Sequence, residues 1–184
     1  LGKDIKPANM TDDEARNQTD KITGRITKMI KQDLADDPYA QEYFSKLLKK
    51  AIADTKAMFD APVKQYILFA DFEQDVKERK IEGIPEQLTN NKHAQAYFGL
   101  FKHLFDAELL DNSDLSDDKL TQYAVDIDNI VKTAVAEYSI NPSEIENKIS
   151  MQLLPMLFAD LGLEKAERFI QEVIKITHLG LSRS

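Results

Sequence analysis

Helix-start signals cut this chain into short pieces, and they constrain its fold more than any other feature. Thr11-Asp12-Asp13-Glu14 is a capping-box pattern, in which the threonine hydroxyl accepts from an orphan N–H while the glutamate reaches back. Asp37-Pro38 places a capping aspartate before a proline at the first helical position, where the missing N–H costs nothing. Ala61-Pro62 repeats the proline signal, and Asn141-Pro142-Ser143-Glu144 combines cap, proline and third-position acid. Between these starts the apolar residues recur at helical spacing: Tyr43, Phe44, Leu47, Leu48 and Ile52, then Tyr66, Phe69, Phe72 and Val76, then Tyr97, Phe98, Phe101, Leu104 and Phe105. Runs of alternating apolar and polar residues around Asn-Gly or Gly-Gly turns are missing. The expectation is an all-α fold of six to seven helices in one compact domain. A proline every ~20 to 30 residues rules out an extended coiled coil.

The first helix is expected to end near Ala35, and the third to run toward a break at Gly83-Ile84-Pro85, with Ile81 to Asn91 as a loop. "DNSDLS" leads into a helix after Ser116. Gly162 is placed to end the helix begun at Asn141-Pro142, and a last helix covers Glu164 to Leu179. Residues 1–19 read as a linker and the start of the first helix, and 20–184 as the helical domain. At 184 residues, 42% of them apolar, the chain can bury one sizeable core. No stretch approaches the ~20 apolar residues of a spanning helix, and Leu1 to Met10 lack the apolar core of a secretory signal. With no cysteine, the composition excludes disulfides, thiolate metal sites and thiol nucleophiles, and fits a cytoplasmic protein.

The net charge of -8 is unevenly spread. Nine bases face six acids from Lys21 to Lys64, whereas eleven acids from Asp106 to Asn147 are answered only by Lys119 and Lys132. The acidic region repels phosphate backbones and suits a basic protein patch. Lys21, Arg25 and Lys28 share one helical face and are the candidate phosphate contacts.

Asp126-Ile127-Asp128-Asn129 has the look of a calcium loop. Such a loop needs glycine at its sixth position, where Val131 stands, before the acid at the twelfth, Glu137. On a helix with the stripe Leu120, Tyr123, Ala124, Ile127, Val131 and Ala134, at ~100° per residue, Asp126 and Asp128 diverge by about 200° and cannot share an ion. With Asp117 and Asp118 they are read as a solvated or partner-facing acidic surface. His93, His103 and His178 lack the i, i+4 spacing of helical metal ligands. Glu78-Arg79-Lys80 imitates a nuclease glutamate-x-lysine pair but ends a charged helix and reads as a solvated face. The six glycines form neither a dinucleotide fingerprint nor a Walker loop. In "QLLPMLFADLGL", Leu153 and Met156 continue the stripe of Ile145 and Ile149. A kink at Pro155 would turn Leu154, Leu157 and Phe158 outward as partner anchors, the alternative being that all three are core.

"VDIDNIVKTAVAEYSINPSEIENKISMQLLPML" resembles the C-terminal helical region of the R subunits of type I restriction-modification enzymes. Ile127-Asp128-Asn129-Ile130-Val131 and Asn141-Pro142 match the family's Ile-Asp-x-Ile-Ile and Asn-Pro elements in order. Asp37, Pro38, Phe44 and Ser45 match its acidic-Asp-Pro…Phe-Ser helix. The likeness extends over Asp20 to Leu179. It departs at Ala136-Glu137-Tyr138, where the family carries Val-Asp-Trp and Tyr138 is the nearest aromatic. The resemblance implies a fragment of an ATP- and magnesium-dependent DNA translocase and endonuclease whose motor and nuclease lie upstream. A start at Leu1-Gly2 agrees with an excised piece. This piece would hold no catalytic residue, cofactor or metal of its own. Its partners would be the methyltransferase and specificity subunits, DNA would be met mainly through the parent's other domains, and no membrane is involved. The competing reading is a free-standing helical adaptor or enzyme.

Overall fold

A computed structural model describes residues 7–109 and 115–183. Residues 1–6 of the expected N-terminal segment, and most of "DNSDLS", lie outside the described residues. Six α-helices carry the fold: α1 (Asp12–Lys28), α2 (Pro38–Lys56), α3 (Pro62–Glu78), α4 (Lys92–Leu109), α5 (Asp117–Glu137) and α6 (Pro142–Arg183). The described residues contain no strand. The all-α class expected from periodicity is therefore observed, and α1 begins at Asp12, directly after the expected Thr11 cap and within the 1–19 segment read as a linker and the start of the first helix. The fold gathers into two compact units, residues 1–35 with 40–82 and residues 36–39 with 83–184.

In the first unit the Thr11 capping box forms in full: Glu14 N–H donates to Thr11 Oγ1 and Thr11 N–H to Glu14 Oε2. On α1, Thr19, Thr23 and Thr27 each donate back to the carbonyl four residues earlier. The helix then widens into a π turn, Met29–Asp33, closed by Leu34 N–H on Met29 O. Ile22, Ile26, Ile30 and Leu34 point into the core with Phe44 of α2 and Phe69 and Val76 of α3. Complete burial of a side chain like Phe44 contributes about 1.5–3 kcal/mol. Arg79 closes α3 in the left-handed conformation (φ 50°), and Lys80 N–H bonds to Asp75 O, so the helix stops short of Gly83.

The second unit is built from α4, α5 and both halves of α6. Helical dihedrals in α6 break at Gly162 (φ 74°, ψ 170°), a region that L side chains avoid. Pro155 is carried inside the helix, so the break falls at the glycine and not at the proline. The halves 142–161 and 163–183 fold back on each other: His178 meets Glu146 at 2.7 Å, and these two are equidistant from Gly162 along the chain. Ile145, Ile149, Leu153 and Leu157 of the first half share one core with Ala166, Phe169, Ile170 and Val173 of the second. Phe169 stacks on Phe101 of α4 with centroids 4.1 Å apart. Tyr39 lies over Gly99, where an added Cβ would come within 2.7 Å of its ring. Gln95 donates to the carbonyls of Leu88 and Thr89, holding the short turn Glu86–Leu88 on α4.

Candidate partner-binding surface

Ser116 caps α5 by accepting from Lys119 N–H, and Asp117 and Asp118 occupy the first turn, where the helix dipole favours negative charge. Asp117 accepts from Lys102 Nζ at 3.0 Å, and Asp118 is exposed. Further along α5, Asp126 is half-buried and accepts from Gln122. Asp128, two residues on, turns the other way. It is 3% exposed and takes Asn91 Nδ2 at 2.7 Å and Lys132 Nζ at 2.5 Å. The reading of Asp128 as a partner-facing acid is corrected here. The divergence predicted for the two aspartates holds, but it carries Asp128 into the unit because it stands next to the inward Ile127.

The α5–α6 hairpin is latched by Asp160, which pairs with Lys119 at 2.8 Å and accepts the Tyr123 hydroxyl. Lys119 and that hydroxyl hold the Asp160 carboxyl below its usual range, while burial and the Asp160 bond push the Tyr123 phenol up to about 12. At the other end Lys148 pairs with Glu137 at 3.3 Å. The two bases of the acidic region are thus spent on Asp160 and Asp128. The latch brings the first turn of α5 to the end of the 142–161 half that carries Phe158.

On that half the three apolar candidates separate. Leu157 is fully buried, which corrects its reading as an interface anchor: it follows Ile145, Ile149 and Leu153 on the inward face. Leu154 is half-buried at the edge of the core, beside Ser150 and Arg168. Phe158 is 53% exposed. Met151, 76% exposed, and Leu163, 52% exposed, extend the apolar surface, and Ile140 in the α5–α6 corner stands at 96%. These three escaped the sequence reading. Met151 was within reach, because it lies two turns before Phe158 on the same helical face.

The basic stripe fares differently. Arg25 makes a two-point ion pair with Glu73 of α3, Nε to Oε1 at 2.7 Å and Nη2 to Oε2 at 3.0 Å, and Lys77 stands 3.8 Å from the same carboxylate. Arg25 is a structural cation and not a free phosphate contact; Lys21 and Lys28 are exposed. Glu78 accepts from Gln74 and Lys80 pairs with Asp75, so the glutamate-x-lysine pair is divided among neighbours on its own surface. Among the described residues no group of three or more histidines, aspartates and glutamates is placed to hold a metal ion, and no helix is long and apolar enough to cross a membrane. Set against family models, curated proteins and solved structures, the chain matches none.

Proposed function

We propose that this chain is a docking domain of a type I restriction-modification R subunit, seating an ATP-driven DNA translocase and endonuclease on the methyltransferase and specificity core. Catalysis, ATP and magnesium belong on this reading to other parts of the parent. The observation that carries it is the exposure of Met151, Phe158 and Leu163 on α6, together with the acids Asp117 and Asp118 in the first turn of α5, a turn that the Lys119–Asp160 pair ties to the Phe158 end of the 142–161 half. An apolar centre with an acidic rim suits a basic partner surface: rim charges speed encounter and apolar anchors slow dissociation. The order of the Ile-Asp and Asn-Pro elements supports the choice of family.

Binding kinetics on immobilised methyltransferase–specificity core test this. Asp118→Lys is expected to slow association, and Phe158→Ser with Met151→Ser to speed dissociation, with circular dichroism unchanged. Kinetics identical to wild type in every variant would remove this face from the interface.

A further inference from the structure

A cavity of about 350 Å³ opens in the second unit between α4, α5 and the 163–183 half of α6, at the end of the α6 hairpin remote from Gly162. Concave sites for small molecules start at roughly 300 Å³, and roughly 150 Å³ already holds a benzene ring. Val131 and Ile176, both buried, and Val135 and Leu181, both half-buried, give it apolar walls. The charged groups on its lining are largely matched. Asp128 takes Asn91 and Lys132, Asp36 is engaged as well, and Lys132 and His93 are exposed side chains that reach the cavity from its rim. A cation entering here meets Lys132 and His93, and an anion meets Asp128 and Asp36. Neither finds a counter-charge that is both buried and unpaired to offset its lost water. Two hydroxyls of the lining belong to buried side chains: Tyr97 is 2% exposed and Thr177 7%. Thr177 Oγ1 donates to Val173 O, so its bond with Tyr97 uses the phenol's proton and leaves the Tyr97 oxygen to accept. Burial and the charge of Asp128 push that phenol above its ordinary range, so it stays neutral. Gly180 of α6 also lines the cavity, and an added Cβ there would meet nothing within 4 Å, so no other side chain closes the wall at that point.

We propose that this cavity binds an uncharged organic molecule with a hydroxyl on an apolar body, about one to two rings in size, its O–H donated to the Tyr97 oxygen and its body against Val131, Val135 and Ile176. The apolar walls supply the affinity, and the buried phenol fixes the orientation. The site does not depend on the docking reading, because it is built on residues 131–136 and 176–181 and not on Met151, Phe158 or Leu163.

The test is a titration of the full chain, methyl-labelled at valine, leucine and isoleucine, with p-cresol. Toluene lacks the hydroxyl, and p-toluate replaces it with a charge. The expected result with p-cresol is saturable shifts at Val131, Val135 and Ile176, with affinity on the order of 1 mM for so small a probe. Toluene should bind roughly fivefold more weakly, the loss of one neutral hydrogen bond, and p-toluate should not saturate. Tyr97→Phe should remove the preference for p-cresol and leave toluene unchanged, which a general loosening of the cavity would not do. If Tyr97→Phe does not fold, Gly180→Leu decides, since it adds a side chain at the open wall and replaces a helix-weakening glycine; it should abolish the shifts from both ligands. Absence of saturation, p-toluate binding as tightly as p-cresol, a preference over toluene that survives Tyr97→Phe, or shifts that persist undiminished in Gly180→Leu would each overturn the proposal.

Discussion

Arg25 and Glu73 of the first unit meet through two hydrogen bonds between α1 and α3, whereas Asp128 of the second unit is buried against an ammonium that stands mostly in solvent. The base-rich stretch of sequence therefore uses its best-placed base within the fold. The acid-rich stretch, with Lys119 and Lys132 already engaged, keeps Asp118 for the surface and brings Asp128 to a cavity. A count of charges along a window says which sign is in excess. It does not say which members remain available, because pairing is decided by residues far away in sequence: Arg25 finds Glu73 two helices later.

The aromatic pair of the second unit, Phe101 and Phe169, stacks with centroids 4.1 Å apart, whereas in the first unit Tyr43 and Phe44 meet edge-on at 5.2 Å and Phe44 and Phe72 stand tilted at 6.1 Å. The largest expected effect follows from that difference. Phe169→Ala should cost about 3–5 kcal/mol, from lost burial plus the cavity left against Phe101. Urea unfolding would show it as a lowered midpoint, and a loss below about 1 kcal/mol would mean that the stack carries no special weight. Next comes Gly99→Ala, where the new Cβ meets the Cβ and ring of Tyr39 below 3.0 Å; overpacking of this kind costs about 1–3 kcal/mol. Tyr39→Ala in the same background should recover part of that loss, which a purely helical effect of the glycine would not allow.

The first unit is probed by Glu73→Gln. Arg25 holds the Glu73 carboxyl below its ordinary range, so the pair's contribution is present above the unfolded carboxyl value, about 4.3, and is lost as pH falls through the lower folded value. With Arg25 half in solvent, the contribution at neutral pH is about 1 kcal/mol. Melting curves from pH ~6 down to ~3 should bring wild type and variant together; a gap that stays constant would assign the loss to packing instead. The smallest effect is Met151→Ser, expected within about 0.5 kcal/mol of wild type because the side chain is mostly in water. A substantial loss of thermal stability there would show that the α6 strip is part of a core and would sharpen the contrast against the docking reading.

Local chemistry made much of the fold legible. Thr11, Pro38, Pro62, Ser116 and Pro142 all mark real helix starts, since capping and proline effects act within one turn. Ends were harder. Arg79 closes α3 in a left-handed conformation that its residue type does not announce, whereas the end expected at Gly162 is where the helix breaks, and Pro155 stays inside helical dihedrals. Of the site residues, Asp117, Asp118 and Phe158 stand where a partner can reach them. Leu157 and Asp128 turn inward, and both follow from the angular position of the stripe relative to the second unit's core. A stripe read from one helix has an uncertain width, and residues at its margins are assigned only when the neighbouring helix is in place.

Gly162 sets the order in which the second unit assembles. Because the two halves of α6 turn on a single residue, contacts next to the corner close loops of only a few residues, while the Glu146–His178 pair closes a far longer one. Loop-closure entropy rises with the length closed, so pairing should begin at the corner and proceed outward as a zipper, giving this region a low contact order and fast folding. Pulsed hydrogen exchange during refolding should protect amides around 153–172 before those near 145 and 178. Gly162→Ala should slow that protection, since an alanine there favours continuing the helix through the corner and the reversal then has to form against it.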